Sequence, residues 1–359
     1  KALLIGGVSF KEQEALIDRG VDVLIATPGR LLDHCERGKL LRTGVQIMVV
    51  DEADRMLDMG FSEQVLEIVA RCASKRQTLL FSATFSDSVE ALSQEVQRRA
   101  QRVEVAAQVE PERLRQLVFE CGKGQRLDVL GDVLAKHRPS TALLFSETRA
   151  DCEKVAEHLN SRGAVARALH GLMEQRDRDE LLIQFANGSL SALVATNVAA
   201  RGIDIPALPM VVVTELSRDP ESHLHRIGRT GRAGEEGIAI SLVEPRERGR
   251  LTRIEAFLGQ EVDRGTAPRF TGSLDFLTPP NRTLILMAGR QSKLRKGDVL
   301  GALVKDAGLP SDAVGRIDLM PRRCAVAIAS PYAHKALRHF QTGTVKRRQI
   351  RAILIGEDR

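Results

Sequence analysis

Apolar residues along the chain fall into short runs separated by longer amphipathic stretches. The runs VDVLIA (from Val21), VQIMVV (from Val45), QTLLF (from Gln77), TALLF (from Thr141), SALVAT (from Ser191) and MVVV (from Met210) are apolar over most of their length. A strand buried on both faces of a parallel sheet has this signature, so these are predicted as buried parallel strands. Between them FSEQVLEIVARC, SVEALSQEVQRR, RADCEKVAEHLNSRG and QRDRDELLIQF place apolar residues three or four apart, the period of an amphipathic helix. Ser9 followed by Glu12 reads as a capping box opening a helix before Val21. Strand alternating with helix predicts α/β architecture.

Two interruptions divide the pattern. It turns irregular around 101–111 and then restarts, which predicts a first domain over 1–108 and a second over 109–262. The stretch EVDRGTAPRFTGSLDFLTPP mixes Gly, Pro, Thr and charge without periodicity, so 263–281 is expected to be a linker. Residues 282–359 carry strand-like TLILMAG, CAVAIAS and IRAILI around helical KGDVLGALVKDAG and AHKALRHF, a small α+β domain in the order β-α-β-α-β.

Length and charge sharpen this picture. At 359 residues, 43% hydrophobic and 28% charged, the chain has the profile of a globular protein of two or three domains. No apolar stretch approaches the roughly 20 residues that span a bilayer, and no signal-peptide layout opens the sequence, so membrane and secreted classes are excluded. The five scattered cysteines form no CxxC, which argues against a disulfide scaffold or structural zinc and favours a reducing, cytoplasmic setting. The formal net charge of +6 conceals an asymmetry: from Asn281 onward 16 Lys and Arg face 6 Asp and Glu, whereas the preceding residues are net negative. A basic terminal domain points to a polyanion partner, most simply nucleic acid. With aromatics at 3% and no Trp, base stacking is not expected to dominate that contact.

Two clusters carry chemistry. Asp51-Glu52-Ala53-Asp54 follows directly on VQIMVV, at the C-terminal end of a strand, where α/β sheets bind ligands. A first carboxylate there suits Mg²⁺ on nucleotide phosphates, and a second suits an attacking water; the alternative is a solvated acidic turn. His225-Arg226-Ile227-Gly228-Arg229-Thr230-Gly231-Arg232 spaces arginines at three-residue intervals among glycines. Arginine forks grip phosphate, either on a γ-phosphoryl group or as a less specific RNA contact.

Read with the rest of the sequence, these residues resemble the DEAD-box RNA helicases of superfamily 2. The family's motifs occur in order: Gly6-Gly7, Thr27-Pro28-Gly29-Arg30, the acidic tetrad continuing as RMLDMGF, Ser82-Ala83-Thr84, Leu144 to Thr148, Gln175 with Arg178, Ala195-Thr196 running to Arg201-Gly202-Ile203-Asp204, and HRIGRTGR. Asn197 stands where the family often has Asp. The likeness covers 1–258 and implies two RecA-like parallel-sheet domains, the first incomplete, that close on ATP, Mg²⁺ and one RNA strand. It implies Mg²⁺ binding for Asp51 and water activation for Glu52. Arg229 and Arg232 would face the γ-phosphate, and Asp204 the ribose. Asp54, Ser82, Thr84, Arg201 and His225 would couple the lobes. Gly7, Thr27, Gly29, Arg30, Thr148, Arg178 and Thr196 would hold the RNA sugar-phosphate backbone. Such a core would open short duplexes locally with little sequence preference.

From Arg282 to Ile355 the chain resembles the RNA-binding domain of the DbpA group of bacterial DEAD-box proteins, which implies an RRM-like fold and structured ribosomal RNA as partner. CAVAIAS lacks the aromatics by which an ordinary RRM stacks bases, so Arg290, Lys293, Arg295, Lys296, Lys346, Arg347 and Arg348 are the candidate contacts. No GxxxxGK[ST] phosphate loop occurs in the 359 residues. The expectation is therefore a fragment of an active helicase, itself inefficient in ATP hydrolysis. A non-catalytic RNA-binding protein is the main alternative; a DNA-directed enzyme is disfavoured by the DEAD tetrad and the tail.

Overall fold

The structure, a computed structural model, describes residues 1–38, 44–104, 114–197, 208–231, 236–345 and 348–355. The chain divides into two units, Lys1–Gln108 and Val109–Arg359.

The first unit runs β1 (Ala2–Leu4), α1 (Phe10–Ile17), β2 (Leu24–Ala26), α2 (Pro28–Glu36), β3 (Ile47–Val50), α3 (Ala53–Asp58), α4 (Ser62–Arg71), β4 (Gln77–Leu80) and α5 (Asp87–Val96). Strands β1 and β2 pair in parallel, as do β3 and β4. Val50 packs with Ala53, Val65, Val89, Leu92 and Val96 from the helices. The other face of β3, Ile47 and Val49, is exposed. Burial on both faces, expected from VQIMVV, is thus not found: α3, α4 and α5 supply one layer of side chains, and it covers one face. Ser9 does occupy the N-cap of α1, but its side chain makes no capping hydrogen bond, so the expected capping box is absent.

In the second unit, β5 (Leu114–Glu120), α6 (Arg126–His137), β6 (Ala142–Ser146), α7 (Arg149–Ser161), β7 (Ala166–Leu169), α8 (Gln175–Ala186), β8 (Ala192–Thr196), β9 (Met210–Val213), α9 (Pro220–Ile227), β10 (Gly237–Val243), α10 (Arg248–Leu258) and β11 (Asp263–Arg264) build one parallel sheet. Among the described residues its strand order is β11-β5-β10-β9-β6-β8-β7. Here the apolar runs are covered on both sides. Leu144, Val194 and Val212 face the core shared with α6 and α7, while Leu143, Leu193 and Val211 face the core shared with α8. Strands β5, β7 and β10 were not singled out by the apolar runs: Arg115 and Gln116 interrupt the first and Arg167 the second.

Residues 263–280 are packed, unlike the loose linker their composition suggests. Strand β11 joins the sheet edge beside β5. Leu274 and Leu277 are fully buried against α6 and α7, and the Phe270 N–H donates to Asp132 at 2.6 Å. Composition reports periodicity, which a strap crossing two helices does not have.

The C-terminal part of this unit comprises β12 (Asn281–Leu286), α11 (Lys296–Gly301) continued by a π-helical turn at Ala302–Asp306, β13 (Val314–Leu319), β14 (Cys324–Ala329), α12 (Ala333–Thr342) and β15 (Ala352–Leu354). The antiparallel sheet order is β13-β14-β12-β15. The order along the chain is β-α-β-β-α-β, one strand more than the sequence pattern indicated. Strand β13 is a sheet edge with Gly315, Arg316 and Asp318 among its residues, so it forms no apolar run. One sheet face and both helices enclose Leu284, Leu286, Val326, Ile328, Leu303 and Phe340. On β12, Thr283 is fully buried and meets Ser189 at 2.7 Å and Asn187 at 3.3 Å from the preceding domain, while Asn281 donates to the Asn187 carbonyl at 3.0 Å.

Candidate functional site

In the first unit the acidic tetrad marks where β3 turns into α3. The backbone reverses through Glu52, whose φ of 52° lies in the left-handed region that few non-glycine residues adopt. This turn leaves Asp51 and Glu52 exposed while Asp54 is buried, at 6% exposure. Asp51 Oδ1 accepts the Glu52 N–H at 2.9 Å, and Glu52 Oε2 pairs with Arg55 Nη1 at 3.2 Å. Asp54 is held through both its backbone N–H and its side chain. Its N–H donates to Ser82 Oγ at 3.1 Å, and its Oδ2 accepts from the Thr84 N–H and Thr84 Oγ1, each at 3.3 Å. Ser82, Thr84 and Asp54, named from sequence, are thus one contact, made at the C-terminal ends of the paired strands β3 and β4.

A second group in this unit gathers at the ends of β1 and β2. Gly7 turns with φ 74°, and the Thr27 N–H donates to the Leu4 carbonyl at 3.0 Å. Thr27 is the N-cap residue of α2, but its hydroxyl makes no capping bond. Gly29 has open space where a Cβ would stand, and Arg30 lies 3.9 Å from Asp33 on the same helix.

In the second unit, Thr148 caps α7 by accepting the Asp151 N–H at 3.2 Å, and Thr196 closes β8 beside Ser146 of β6. Arg178 Nη1 donates to Gln175 Oε1 at 3.4 Å on α8. Helix α9 carries His225 and leads directly into Arg229. The close approach of Gly237 explains how the turn after Arg229 fits: a Cβ there would come within 2.4 Å of the Gly231 nitrogen. Arg201, Asp204 and Arg232 lie outside the described residues.

Sequence reasoning gave no role to Arg226, which is the centre of this region. It is 2% exposed, and its Nε donates to Asn197 Oδ1 at 2.5 Å, Nη1 to the Glu215 carbonyl at 3.0 Å and Nη2 to Glu147 Oε1 at 2.5 Å. It thereby ties α9 to the residues adjoining Thr148 and Thr196. The available signal was its place in the arginine triplet, but nothing local distinguishes a buried arginine from its exposed neighbours. Burial and the Arg226 charge push the nearby His223 down to about 4. Behind this layer, Arg126 at the start of α6 pairs with Glu215 at 2.5 Å and contacts Glu244 and Glu247, joining the ends of β5, β9 and β10.

In the C-terminal domain Arg290, Lys293, Arg295 and Lys296 are all exposed on the loop after β12 and the start of α11. Lys293 and Arg348 line one cleft of about 490 Å³ that Met287, Leu294 and Ile350 also line. Lys346 and Arg347 lie outside the described residues. Among the described residues no three His, Cys, Asp or Glu side chains gather into a metal site. A Mg²⁺ ion at Asp51 would therefore need oxygens from the nucleotide, and a carboxylate at a strand end is a donor of the hard type that ion takes. None of the described helices is long and apolar enough to cross a membrane.

Comparison with known proteins places these features. The family described as DEAD/DEAH box helicase matches residues 1–92, the helicase conserved C-terminal domain matches 125–234, and the DbpA RNA binding domain matches 283–353. The ATP-dependent RNA helicase DbpA of Escherichia coli is 41% identical over 98% of this chain and 77% of its own length. Its Bacillus subtilis counterpart is 33% identical over 97% and 77%. Saccharomyces cerevisiae Dbp5 bound to RNA and ADP BeF3 superposes with a TM-score of 0.66 at 32% identity, covering 74% of this chain and 69% of that one. The parallel sheet of the second unit is accordingly RecA-like, and the four-stranded C-terminal domain is a DbpA-type RNA-binding domain. The chain belongs to the DEAD-box RNA helicases, in the DbpA-type group that pairs the helicase core with its own RNA-binding domain.

Proposed function

We propose that this chain belongs to an ATP-dependent enzyme that locally opens short RNA duplexes on structured ribosomal RNA during ribosome assembly in the cytoplasm. The observation that supports it is the turn at Glu52, which exposes two carboxylates beyond a strand end while Ser82 and Thr84 lock the third, Asp54. On this reading Glu52 orients the attacking water and takes its proton, and Arg229 and Arg232 neutralise the charge developing on the γ-phosphoryl oxygens. Asp51 would hold Mg²⁺, which when bound would supply charge neutralisation at the phosphates. Gly7, Thr27, Gly29, Arg30, Thr148, Arg178 and Thr196 hold backbone rather than base edges, so any RNA preference comes from the basic C-terminal domain. No GxxxxGK[ST] occurs in these 359 residues, so efficient turnover is assigned to the enzyme with a phosphate loop joined to them, and residues 1–359 alone hydrolyse ATP poorly.

RNA-stimulated phosphate release tests this in a protein that includes such a loop. Glu52→Ala should lower turnover by roughly 10²–10⁴-fold, the usual worth of a positioned general base. Turnover at the parental rate, or equal stimulation by DNA, would refute the proposal. Binding of RNA to that protein without any response to ATP or Mg²⁺ would support the non-catalytic alternative instead.

A further inference from the structure

Behind the Gly6-Gly7 turn and the Thr27–Arg30 end of α2 lies a buried polar contact with no part in the proposed chemistry. Gln13 of α1 and His34 of α2 are both essentially unexposed. Gln13 Nε2 donates to the Ile5 carbonyl at 2.8 Å, one residue before Gly6. Its Oε1 therefore faces His34 Nε2 at 2.9 Å, so the His34 proton sits on Nε2. One turn back on α1, the Phe10 ring stacks on His34 with centroids 3.9 Å apart and planes 15° apart. The guanidinium carbons of Arg37 and Arg30 lie 3.9 and 5.5 Å from the same ring centroid, within cation–π range. Residues 30, 34 and 37 recur at helical spacing, as do 10 and 13, so one face of α2 meets one face of α1.

We propose that Gln13 and Phe10 are positioning residues for RNA: Gln13 joins the backbone of the glycine turn to His34, and Phe10 holds Arg30, making the two backbone-gripping segments one platform. This rests on the RNA-grip reading above. Gln13 and Phe10 touch no RNA; they fix where Arg30 and the turn stand. Without the amide, the Ile5 carbonyl and the His34 N–H lose their partners in a buried place, and the turn is free to shift relative to α2.

The test is fluorescence anisotropy of a single-stranded oligouridine with the full chain across a salt series. Arg30→Ala reports on the grip itself and should weaken binding roughly tenfold and reduce the salt slope by about 0.7, the share of one phosphate on a single strand. Gln13→Leu and Phe10→Leu should reproduce that loss and that slope change, and Phe10→Tyr should bind like the parent. The double variant Phe10→Leu with Arg30→Ala should bind no more weakly than Arg30→Ala alone. A mere packing role would shift the melting temperature without changing the slope. If Arg30→Ala weakens binding and Phe10→Leu does not, or if their effects add, the positioning role is overturned while the grip stands. If Arg30→Ala binds like the parent, the grip reading itself fails. Phe10 is partly exposed, so its Leu and Tyr variants decide the matter even if Gln13→Leu does not fold.

Discussion

Arg126→Met withdraws a buried guanidinium from among three carboxylates. In the native protein Glu215 lies at 2.5 Å and Glu244 at 3.8 Å, and Glu247 is in direct contact. Glu247 is also committed elsewhere, accepting the Leu216 N–H at 3.1 Å and the Glu244 N–H at 3.0 Å, so it cannot turn away to solvent. Arg246, itself mostly exposed, stays 3.1 Å from Glu244 and 3.8 Å from Glu215, and Arg250 stays 3.9 Å from Glu247, so removing the buried partner costs about 3 kcal/mol, the lower end for breaking a buried pair. Met preserves much of the stem volume, so the loss reads the charge rather than a cavity. The pH dependence identifies its origin. Burial already raises Glu215 above the ordinary carboxylate range, with Arg126 opposing that shift. Without Arg126 the Glu215 carboxyl in the folded state rises further above its unfolded value, so the folded variant binds more protons than the unfolded one, and the variant is penalised as pH rises. Urea denaturation followed by far-UV circular dichroism should show a deficit of about 3 kcal/mol at pH 8 that shrinks as the pH falls to 5, with m unchanged. A deficit below about 1 kcal/mol at pH 8, or one equal at both pH values, would refute a charged hub at the ends of β5, β9 and β10.

His223 is held near 4 against an ordinary 6.5, so the unfolded chain takes up its proton first on acidification. Stability of the second unit should be fully present above pH 6.5 and fall by about 3 kcal/mol towards pH 4, and His223→Gln should flatten that slope in urea titrations. Leu277→Ala should destabilise the unit by roughly 2–5 kcal/mol if the 263–280 strap is part of the core, whereas a loose tether predicts less than about 0.5 kcal/mol by the same denaturation assay. Thr283→Val orphans polar atoms of Asn187 and Ser189. It should speed tryptic cleavage between the helicase domain and the RNA-binding domain, and unchanged digestion would show that these hydrogen bonds do not hold the two together.

What the sequence determined by itself was local chemistry and local period. The strand runs around Leu144, Val194 and Val212 and the helices between them were legible because burial on both faces writes a continuous apolar signal. The acidic tetrad, Ser82-Ala83-Thr84 and the arginine triplet were legible only as an ordered set that resembles one family; taken singly, each reads as well as a solvated turn, a strand end or a less specific phosphate contact. The basic side chains of the C-terminal domain were legible as charge, and Lys293 and Arg348 do share a cleft. Tertiary structure alone decided which charges are buried and what they face. Arg126 meets Glu247 across 121 positions, and Arg226 meets Glu147 across 79. It also decided that 263–280 packs as a strap and that Thr283 is covered, although composition marked the first as loose. The reason is physical: hydrophobic period records how a segment meets one layer, whereas ion pairing and desolvation depend on which distant segments the sheet brings alongside.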